Sequence, residues 1–161
     1  TFPFGAHVAV VDVDTETGKV ELRRIITCDD AGRMLNPLLV EGQRHGGIAQ
    51  GVAQALCEEM LYDEDGNPQT TNFADYTVIA AAELPPYELV PMETATPVNP
   101  LGAKGVGESG TLGATPAVHS AVIDALAHLG VRHVEMPTTP QRVWDAIRAA
   151  RSSGGASEES P

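Results

Sequence analysis

Residues 102–110 hold the densest set of chemically useful residue types in this chain. Four glycines, Lys104 and Glu108 lie within these nine positions, which read Gly-Ala-Lys-Gly-Val-Gly-Glu-Ser-Gly. Glycine reaches positive φ and carries no side chain, so successive backbone N–H groups can converge on an anion or approach a ligand closely. A lone carboxylate in that setting suits a group that contacts a reacting centre. The alternatives are a plain connecting loop and a Glu108 side chain that only caps nearby amides.

Two widespread phosphate-binding motifs do not account for this loop. Residues 105–110 have the letters G-x-G-x-x-G of the dinucleotide fingerprint, which needs a preceding β-strand and an acidic residue about 20 positions later. Here Pro97 and Pro100 precede the loop, and the next acidic residue, Asp124, lies in an apolar helical pattern. A P-loop needs Ser or Thr after its lysine, whereas Lys104 is followed by glycine.

A second glycine-rich stretch lies in a helix predicted over residues 36–60. An Asn-Pro pair at its start supplies an N-cap and a proline at the first helical position, and apolar residues recur at helical spacing. Each glycine inside a helix costs about 0.5–1 kcal/mol relative to alanine, so the glycines need a compensating reason for close approach. That reason is either tight packing or a cofactor that passes the glycine face. The glycines are Gly42, Gly46, Gly47 and Gly51.

Gln50 is a candidate ligand contact in this helix. It lies three residues after Gly47 and four after Gly46, so all three are expected on one face. Its amide both donates and accepts hydrogen bonds, which suits a pterin or a phosphate. Arg44 and His45, in the same stretch, receive no catalytic role.

The remaining patterns predict an α+β fold, with an antiparallel or mixed sheet and packed helices. Apolar, β-branched runs on either side of a glycine-containing turn predict a hairpin, and Thr-Pro pairs predict the starts of two helices. His7, in the first run, is expected to be a hydrogen-bonded packing residue. Residues 73–82 fit a strand and a helix equally well. We expect strands over residues 7–14, 20–28, 61–67, 89–96 and 131–136, and helices over residues 36–60, from Thr115-Pro116 to Gly130 and from Thr139-Pro140.

The composition limits the partners and the compartment. The 161 residues include 22 acidic and 10 basic side chains, a formal net charge of −12, and such a chain repels nucleic acid. No apolar run approaches the roughly 20 residues of a membrane span and no signal sequence is present, so we expect a cytoplasmic location. Cys28 and Cys57 lack metal-ligand spacing and are expected to be reduced. We expect one domain over residues 1–150 and a disordered Ser/Gly/Glu-rich tail over residues 151–161.

The two glycine-rich stretches together resemble segments of the molybdenum hydroxylases, the xanthine oxidase family, and within it the large subunits of the aerobic carbon monoxide dehydrogenase type. Residues 102–109 are similar to the family's glutamate loop, and residues 41–51 to its Gly-Gly-x-x-Gln-Gly segment. Residues 29–37 and 131–137 are similar as well, so the resemblance spans roughly residues 1–150. The motifs also occur in the family's order.

The resemblance implies a role for each candidate residue. Glu108 would accept a proton while oxygen derived from water is transferred to a substrate carbon at a molybdenum centre. Electrons would leave through iron–sulfur clusters and FAD on partner subunits. Lys104 would also pair with a neighbouring charge. The implied contacts to molybdopterin cytosine dinucleotide are Gly46, Gly47 and Gln50 on the helix, and Lys104, Gly105, Val106 and Gly107 in the loop.

The chain differs from that family mainly in length. The family's large subunits are several times longer, and their other pterin-binding segments and substrate-discriminating loop have no counterpart here. We therefore expect a C-terminal portion of a large subunit, consistent with the Thr1 start, that is inactive without the remainder and its iron–sulfur and flavin subunits. Its substrate would be carbon monoxide, an aldehyde or an N-heterocycle. The alternative is a non-catalytic structural or binding domain that keeps the fold without the chemistry.

Overall fold

The fold contains three strands and three helices, which a computed structural model describes for the backbone of residues 1–155 and the side chains of residues 1–153. Single turns of 3₁₀ helix lie at residues 81–83 and 127–129. No helix in this part of the chain has both the length and the apolar character to cross a membrane. In chain order the elements are β1 (Phe4–Val13), β2 (Val20–Asp30), α1 (Pro37–Leu56), β3 (Tyr87–Met92), α2 (Ser109–Leu126) and α3 (Pro140–Gly155).

The strands form one mixed sheet with β2 in the centre. β1 pairs antiparallel with β2, and β3 pairs parallel with β2 on its other side. The β1–β2 turn requires Gly18, whose φ is +73° and whose missing Cβ would lie 2.0 Å from the carbonyl oxygen of Pro140. Oδ1 of Asp14 accepts a hydrogen bond from the backbone N–H of Glu16 at 2.8 Å and stabilises the turn. The predicted α+β class and the hairpin are confirmed.

The two faces of this sheet differ in what covers them. Because successive side chains of a strand point to opposite faces, the register assigns each residue to one face. The inner face is covered by the helices, whereas no helix or strand of residues 1–155 covers the outer face, where only the end at Asp30 is buried, beside Lys104. The inner face includes His7, Ala9, Val11, Leu22, Ile25, Thr27, Asp29, Tyr87 and Leu89; the outer face includes Phe4, Ala6, Val8, Val10, Ile26, Cys28, Glu88 and Val90.

The helices α1 and α2 pack on the inner face and contact each other through glycines. A Cβ on Gly51 would lie 2.9 Å from the Cβ of Ala114, and a Cβ on Gly110 would lie 2.7 Å from the carbonyl oxygen of Arg44. The two backbones therefore approach more closely than larger residues would allow. The core beneath them consists of Leu22, Ile25, Ile48, Val52, Ala55, Ala114 and Val118.

A second core joins α3 to the C-terminal half of α2. The predicted start of α3 is confirmed, and the hydroxyl of Thr139 accepts a hydrogen bond from the N–H of Arg142 at 3.4 Å. The helix extends to Gly155, so the first residues of the predicted disordered tail are helical, and residues 156–161 lie outside the described part. The second core consists of Val122, Leu126, Val131, Val134, Val143 and Ile147.

The start of α2 was predicted incorrectly. The Thr115-Pro116 pair reads as a helix start, but α2 begins at Ser109 and Pro116 lies inside it, on the exposed side. Glycine at position 110 is unfavourable for a first helical turn by local propensity alone. The contact with α1 compensates, because only glycine fits against the backbone of Arg44.

Two predicted strands are also wrong. Residues 61–67 form a turn closed by a single bridge between Tyr62 and Pro68, in which the carboxylate of Asp63 accepts a hydrogen bond from the N–H of Asn67 at 2.8 Å. Residues 131–136 have no neighbouring strand, and the carbonyl oxygen of Val134 lies 2.8 Å from Nε2 of a helix histidine instead. Residues 73–82 contain neither a strand nor an α-helix.

Candidate functional site

The glycine loop after β3 is anchored to the connection that follows β2. Gly102 has a φ of +70°, and its carbonyl oxygen accepts hydrogen bonds from the N–H groups of Arg33 at 2.9 Å and Thr96 at 3.1 Å. The N–H of Lys104 donates to the carbonyl oxygen of Ala31 at 2.8 Å. These bonds determine where the rest of the loop leaves the end of the sheet.

Beyond this anchor, residues 105–108 present a run of unused backbone donors. Among the residues that the structure describes, none accepts a hydrogen bond from the N–H groups of Gly105, Val106, Gly107 or Glu108. A Cβ on Gly105 would meet no atom within 4 Å. Gly105 and Gly107 do not have a positive φ, so their role is to leave open space and not to form a left-handed turn. Consecutive free N–H groups before a helix favour a negatively charged or strongly accepting ligand.

Glu108 lies directly before α2 and is exposed. Its carbonyl oxygen accepts a hydrogen bond from the N–H of Leu112 at 3.0 Å, which forms the first turn of the helix. Its carboxylate makes no capping hydrogen bond. The donors expected around this carboxylate are therefore not supplied by the described part of the chain, and the side chain borders an open surface.

The first half of α1 lies beside this loop. A Cβ on Gly107 would be 3.9 Å from Oε1 of Gln43. Gln43, Gly46 and Gln50 share one exposed side of the helix, and a Cβ on Gly46 would meet no atom within 4 Å. Gly47 is buried, since its Cβ would lie 3.0 Å from a backbone nitrogen of α2. The structure thus places Gly46 and Gln50 beside open space and Gly47 in the helix contact.

The side chain of Lys104 points away from this open surface. Its ammonium lies 3.2 Å from Oδ1 of Asp30, which is fully buried, and 4.8 Å from the centre of the Phe4 ring. Its backbone N–H is bound to Ala31 and its ammonium is held at Asp30, so the side chain is directed away from a ligand on the open surface. Lys104 therefore attaches the loop to the end of β2, which differs from the direct contact implied by sequence.

A buried charge cluster lies beneath α1 on the inner face. Asp29 accepts hydrogen bonds from Nε2 of His7 at 2.8 Å and from Nε of Arg44 at 3.0 Å. Nη2 of Arg44 also donates to the carbonyl and hydroxyl oxygens of Thr27, each at 3.0 Å. The cluster joins β1, β2 and α1 through one hydrogen-bonded network. It confirms His7 as a hydrogen-bonded packing residue.

The two aspartates at the end of β2 are held ionised. Burial works to raise the pKa of Asp29, but the combined interactions with His7, Arg44 and Thr27 outweigh it, so the pKa is lowered. Burial also opposes ionisation of Asp30, while polar groups led by Thr94 and including Lys104 lower its pKa to about 2. Both carboxylates therefore act as charged anchors at neutral pH, and neither is suited to accept a proton there.

These features define a cofactor-binding class of domain: two glycine-packed helices on a mixed sheet, with a donor-rich loop before an unpaired glutamate. Residues 1–85, which include β1, β2 and α1, match the family described as molybdopterin cofactor-binding domain. The chain belongs to that family.

Individual relatives extend the likeness over nearly the whole chain. The carbon monoxide dehydrogenase large chain of Hydrogenophaga pseudoflava is 43% identical over 148 residues, which are 92% of this chain and 18% of that relative. The nicotine 6-hydroxylase large subunit of Paenarthrobacter nicotinovorans is 40% identical over 147 residues, 91% of this chain and 18% of the relative. The structure of reconstituted CO dehydrogenase from Oligotropha carboxidovorans matches with a TM-score of 0.91 and 39% identity, covering 95% of this chain and 19% of that one. The chain therefore spans about a fifth of the length of these relatives.

Two contributors to the site were missed by sequence reasoning. Gln43 has a usable signal, since it lies three residues before Gly46 and seven before Gln50, on the same helix face. Arg44 has none, because its partner Asp29 is 15 positions away and a buried arginine has no local pattern.

Proposed function

We propose that this chain is the part of a molybdenum-dependent oxidoreductase large subunit that carries the catalytic base, Glu108, and one side of the cofactor pocket. The supporting observation is the run of unused N–H groups over residues 105–108, which ends at Glu108 and lies beside Gln43. Donors that their own chain leaves unpaired beside open space are expected where a ligand completes the structure. Membership of the molybdopterin cofactor-binding family indicates the ligand.

The residues present fit molybdopterin cytosine dinucleotide. Pyrophosphate and pterin groups accept hydrogen bonds, and the N–H groups of residues 105–107 offer donors on a backbone with little side-chain bulk. Gln50 adds an amide that both donates and accepts, and Gly46 keeps the surface beside it open. Gln43 extends this stripe toward the loop.

Gly47 and Lys104 support the pocket from behind. Gly47 lets α1 approach α2 closely, which sets the distance between the Gln50 stripe and the loop. Lys104 ties the loop to Asp30 at the end of β2. We therefore propose that these two residues act on the cofactor through position and packing.

When bound, the cofactor would supply the molybdenum centre at which water-derived oxygen reaches the substrate carbon. Glu108 accepts the proton released in that reaction, since its carboxylate has no hydrogen bond of its own to break. The anchors at Gly102 and Lys104 hold the main chain before residues 105–107, and the hydrogen bond from Leu112 to the Glu108 carbonyl holds it after them, so the backbone positions the base. The electrons leave through iron–sulfur clusters and FAD on partner subunits.

The substrate we propose is carbon monoxide, an aldehyde or an N-heterocycle. One relative is named for carbon monoxide and another for nicotine, and this chain is nearly as similar to one as to the other, at 43% and 40% identity. The base and the cofactor contacts would then be common to enzymes for both substrate types. The rest of the large subunit would determine which substrate is oxidised. We place the working complex in the cytoplasm and expect the chain to be inactive alone.

Reconstitution with the missing part tests this proposal. The chain is co-expressed with the remaining part of the Hydrogenophaga pseudoflava large chain and with that enzyme's iron–sulfur and flavin subunits, and molybdenum content and carbon monoxide-dependent dye reduction are measured. Glu108→Gln should keep the molybdenum and lower turnover by about 10²–10⁴-fold, the usual contribution of a general base. Glu64→Gln, in an exposed turn, is the control and should change neither. Full turnover by a molybdenum-loaded Glu108→Gln complex would contradict the proposed role.

A non-catalytic structural domain is the second candidate. The exposure of Glu108 in this chain favours it, because a catalytic carboxylate normally lies in an enclosed pocket. In that case the chain would yield molybdenum-free, inactive material both alone and with the remaining part of the subunit.

A further inference from the structure

The outer face of the sheet is apolar and uncovered. The side chains of Val8, Val10 and Val90 are 56%, 45% and 44% exposed. The register places Ile26 beside Val8, and Cys28 beside Val90, so these residues form a continuous surface across three strands. Isolated exposed apolar residues are ordinary, but a contiguous apolar patch marks an interaction surface.

β1 carries the sequence pattern of a strand that is covered on both faces. Residues 8–11 read Val-Ala-Val-Val, so apolar side chains point alternately to the inner and the outer face. A strand with one face in water alternates apolar and polar residues, whereas strands covered on both faces read as continuous apolar runs. The pattern therefore implies a second layer over the outer face, which residues 1–155 do not supply.

Charged pairs frame this face and leave its middle apolar. At one end Arg24 pairs with Glu88. At the other end Lys104 lies over the ring of Phe4 while it pairs with Asp30. An apolar centre with a charged rim is the usual composition of a protein interface.

We propose that the remaining part of the large subunit packs on this outer face and supplies the missing layer. The inference rests on the proposed function, because it takes the chain to be a portion of such a subunit. The relatives contain about four fifths of their length beyond the region matched here, which is ample polypeptide for the layer. A second copy of this chain suits the face less well, because two chains of net charge −12 repel each other.

Docking at this face would also strengthen the anchor of the glycine loop. Phe4 is half exposed on the outer face and lies under the ammonium of Lys104. A layer that covers Phe4 would hold its ring against the Lys104 ammonium, whose pair with Asp30 is itself already shielded, with side chains 10% and 0% exposed. The interface and the position of the loop are thereby linked.

Cysteine labelling tests the assignment without any substitution. Cys28 lies on the outer face and Cys57 follows α1, and both are half-buried free thiols. We expect a maleimide to label Cys28 in the isolated chain. Association with the remaining part of the Hydrogenophaga pseudoflava large chain should slow that labelling at least about tenfold, because a covered thiol reacts only during local opening. The ratio of the Cys28 to the Cys57 labelling rate in the free chain is the reference.

Two labelling results would overturn the proposal. One is an unchanged Cys28 rate in the purified complex. The other is protection of Cys28 in the chain alone that disappears on dilution, which would assign the face to a second copy.

Charges placed on the outer face give an independent measurement. In Val8→Lys/Val90→Lys, two ammonium groups would have to be buried under the docked layer, so copurification with the remaining part should fall at least about 100-fold. Gln141→Lys/Ala149→Lys adds the same charge at exposed positions of α3 and is the matched control. Circular dichroism and the thermal midpoint of each isolated variant show whether it folds. Equal copurification of the two folded variants would overturn the assignment.

These readouts are separate from turnover. A fully active Glu108→Gln complex refutes the base while the Cys28 protection is still measured on its own. Conversely, an unprotected Cys28 in a complex that depends on Glu108 refutes the interface alone.

Discussion

The inner and outer faces of the sheet reverse the usual relation between polarity and burial. On the inner face, the charged side chains of Asp29 and Arg44 are 3% and 6% exposed. On the outer face, Val8 is 56% exposed. Buried charges are tolerated only when they are paired and hydrogen-bonded, and exposed apolar patches persist where something covers them. The comparison shows that this chain covers the inner face and leaves the valines of the outer face exposed, where we propose that a further layer packs.

The inner face can hold its charges because each has several partners. Asp29 accepts from both His7 and Arg44, and Arg44 also donates to Thr27. This network fixes the positions of β1, β2 and α1 relative to one another, whereas removing Arg44 leaves an uncompensated charge. The ion pair on the outer face, between Arg24 and Glu88, lies in water and has no such consequence.

Removing the buried arginine should give the largest difference in stability between a change on the inner face and a change on the outer face. Arg44→Met leaves Asp29 buried without its cationic partner, and we expect the free energy of unfolding of the chain to fall by about 3–5 kcal/mol. Arg24→Met removes an exposed pair on the outer face and should have a much smaller effect, because water already screens that pair. Urea unfolding followed by circular dichroism measures both. Similar losses of stability in the two variants would show that the buried network contributes no more than the exposed ion pair.

Truncating one apolar residue on each face sharpens the contrast. Ile25→Ala opens a cavity in the inner core and should lower the free energy of unfolding by about 2–5 kcal/mol. Val8→Ala, on the half-exposed outer face, should cost less than about 1 kcal/mol in the isolated chain. Thermal and urea unfolding of the purified variants give the two values. A large loss from Val8→Ala would mean that the outer face is already covered in the isolated chain.

Two glycines of α1 allow a packed position and an open position to be compared within one helix. Gly51→Ala places a Cβ 2.9 Å from that of Ala114, and the overpacking should destabilise the chain by about 1–3 kcal/mol. Gly42→Ala meets no atom within 4 Å and should instead stabilise it by about 0.5–1 kcal/mol, since alanine is the better helix former. Opposite signs in denaturant unfolding are expected. A loss at position 42 would contradict the open surface there.

The smallest expected difference is present at neutral pH and is removed by acid. The folded-state pKa of Asp30 is about 2, below its ordinary value of 3.8, so its stabilising contribution is present above about pH 4. That contribution is lost as the pH falls from 3.8 toward 2, and Asp29 acts in the same direction. Unfolding free energies measured between pH 7 and 2 should fall in this window, with a shallower slope for Asp30→Asn. If the unfolding free energy of Asp30→Asn fell as steeply with pH as that of the unmodified chain, Asp30 would not contribute to the acid sensitivity.

Local signals in the sequence predict much of the fold. The hairpin has alternating β-branched runs and a glycine turn, and α1 has an Asn-Pro start that the structure confirms, with Oδ1 of Asn36 accepting from the N–H of Leu39 at 3.2 Å. The start of α2 could not be predicted in this way. Its first turn is stabilised by contact with α1, and the Thr115-Pro116 pair is the stronger local signal. The strand predicted over residues 131–136 failed for a related reason, since pairing depends on a neighbour that the pattern does not reveal.

The candidate site also has some features that the local sequence predicts and others that it does not. The sequence identifies the glycine loop, Glu108 and the stripe of Gly46 and Gln50, because their types and spacing are local. It cannot show that Gly47 faces α2 or that Lys104 reaches back to Asp30, since both depend on packing between segments far apart in the chain. Adjacent glycines in a helix point about 100° apart, so two identical residues can have different roles.

The parallel pairing of β3 with β2 has a consequence for how the chain acquires its structure. β1 meets β2 across a short turn, but residues 31–86 must be traversed before β3 can join the same strand. Closing a long segment costs more entropy than closing a short one, and non-local pairing slows folding. We therefore expect amide exchange during refolding to protect the hairpin first and β3 late, so an unfinished β2 edge and the bare valines are exposed together on a newly made chain and invite aggregation.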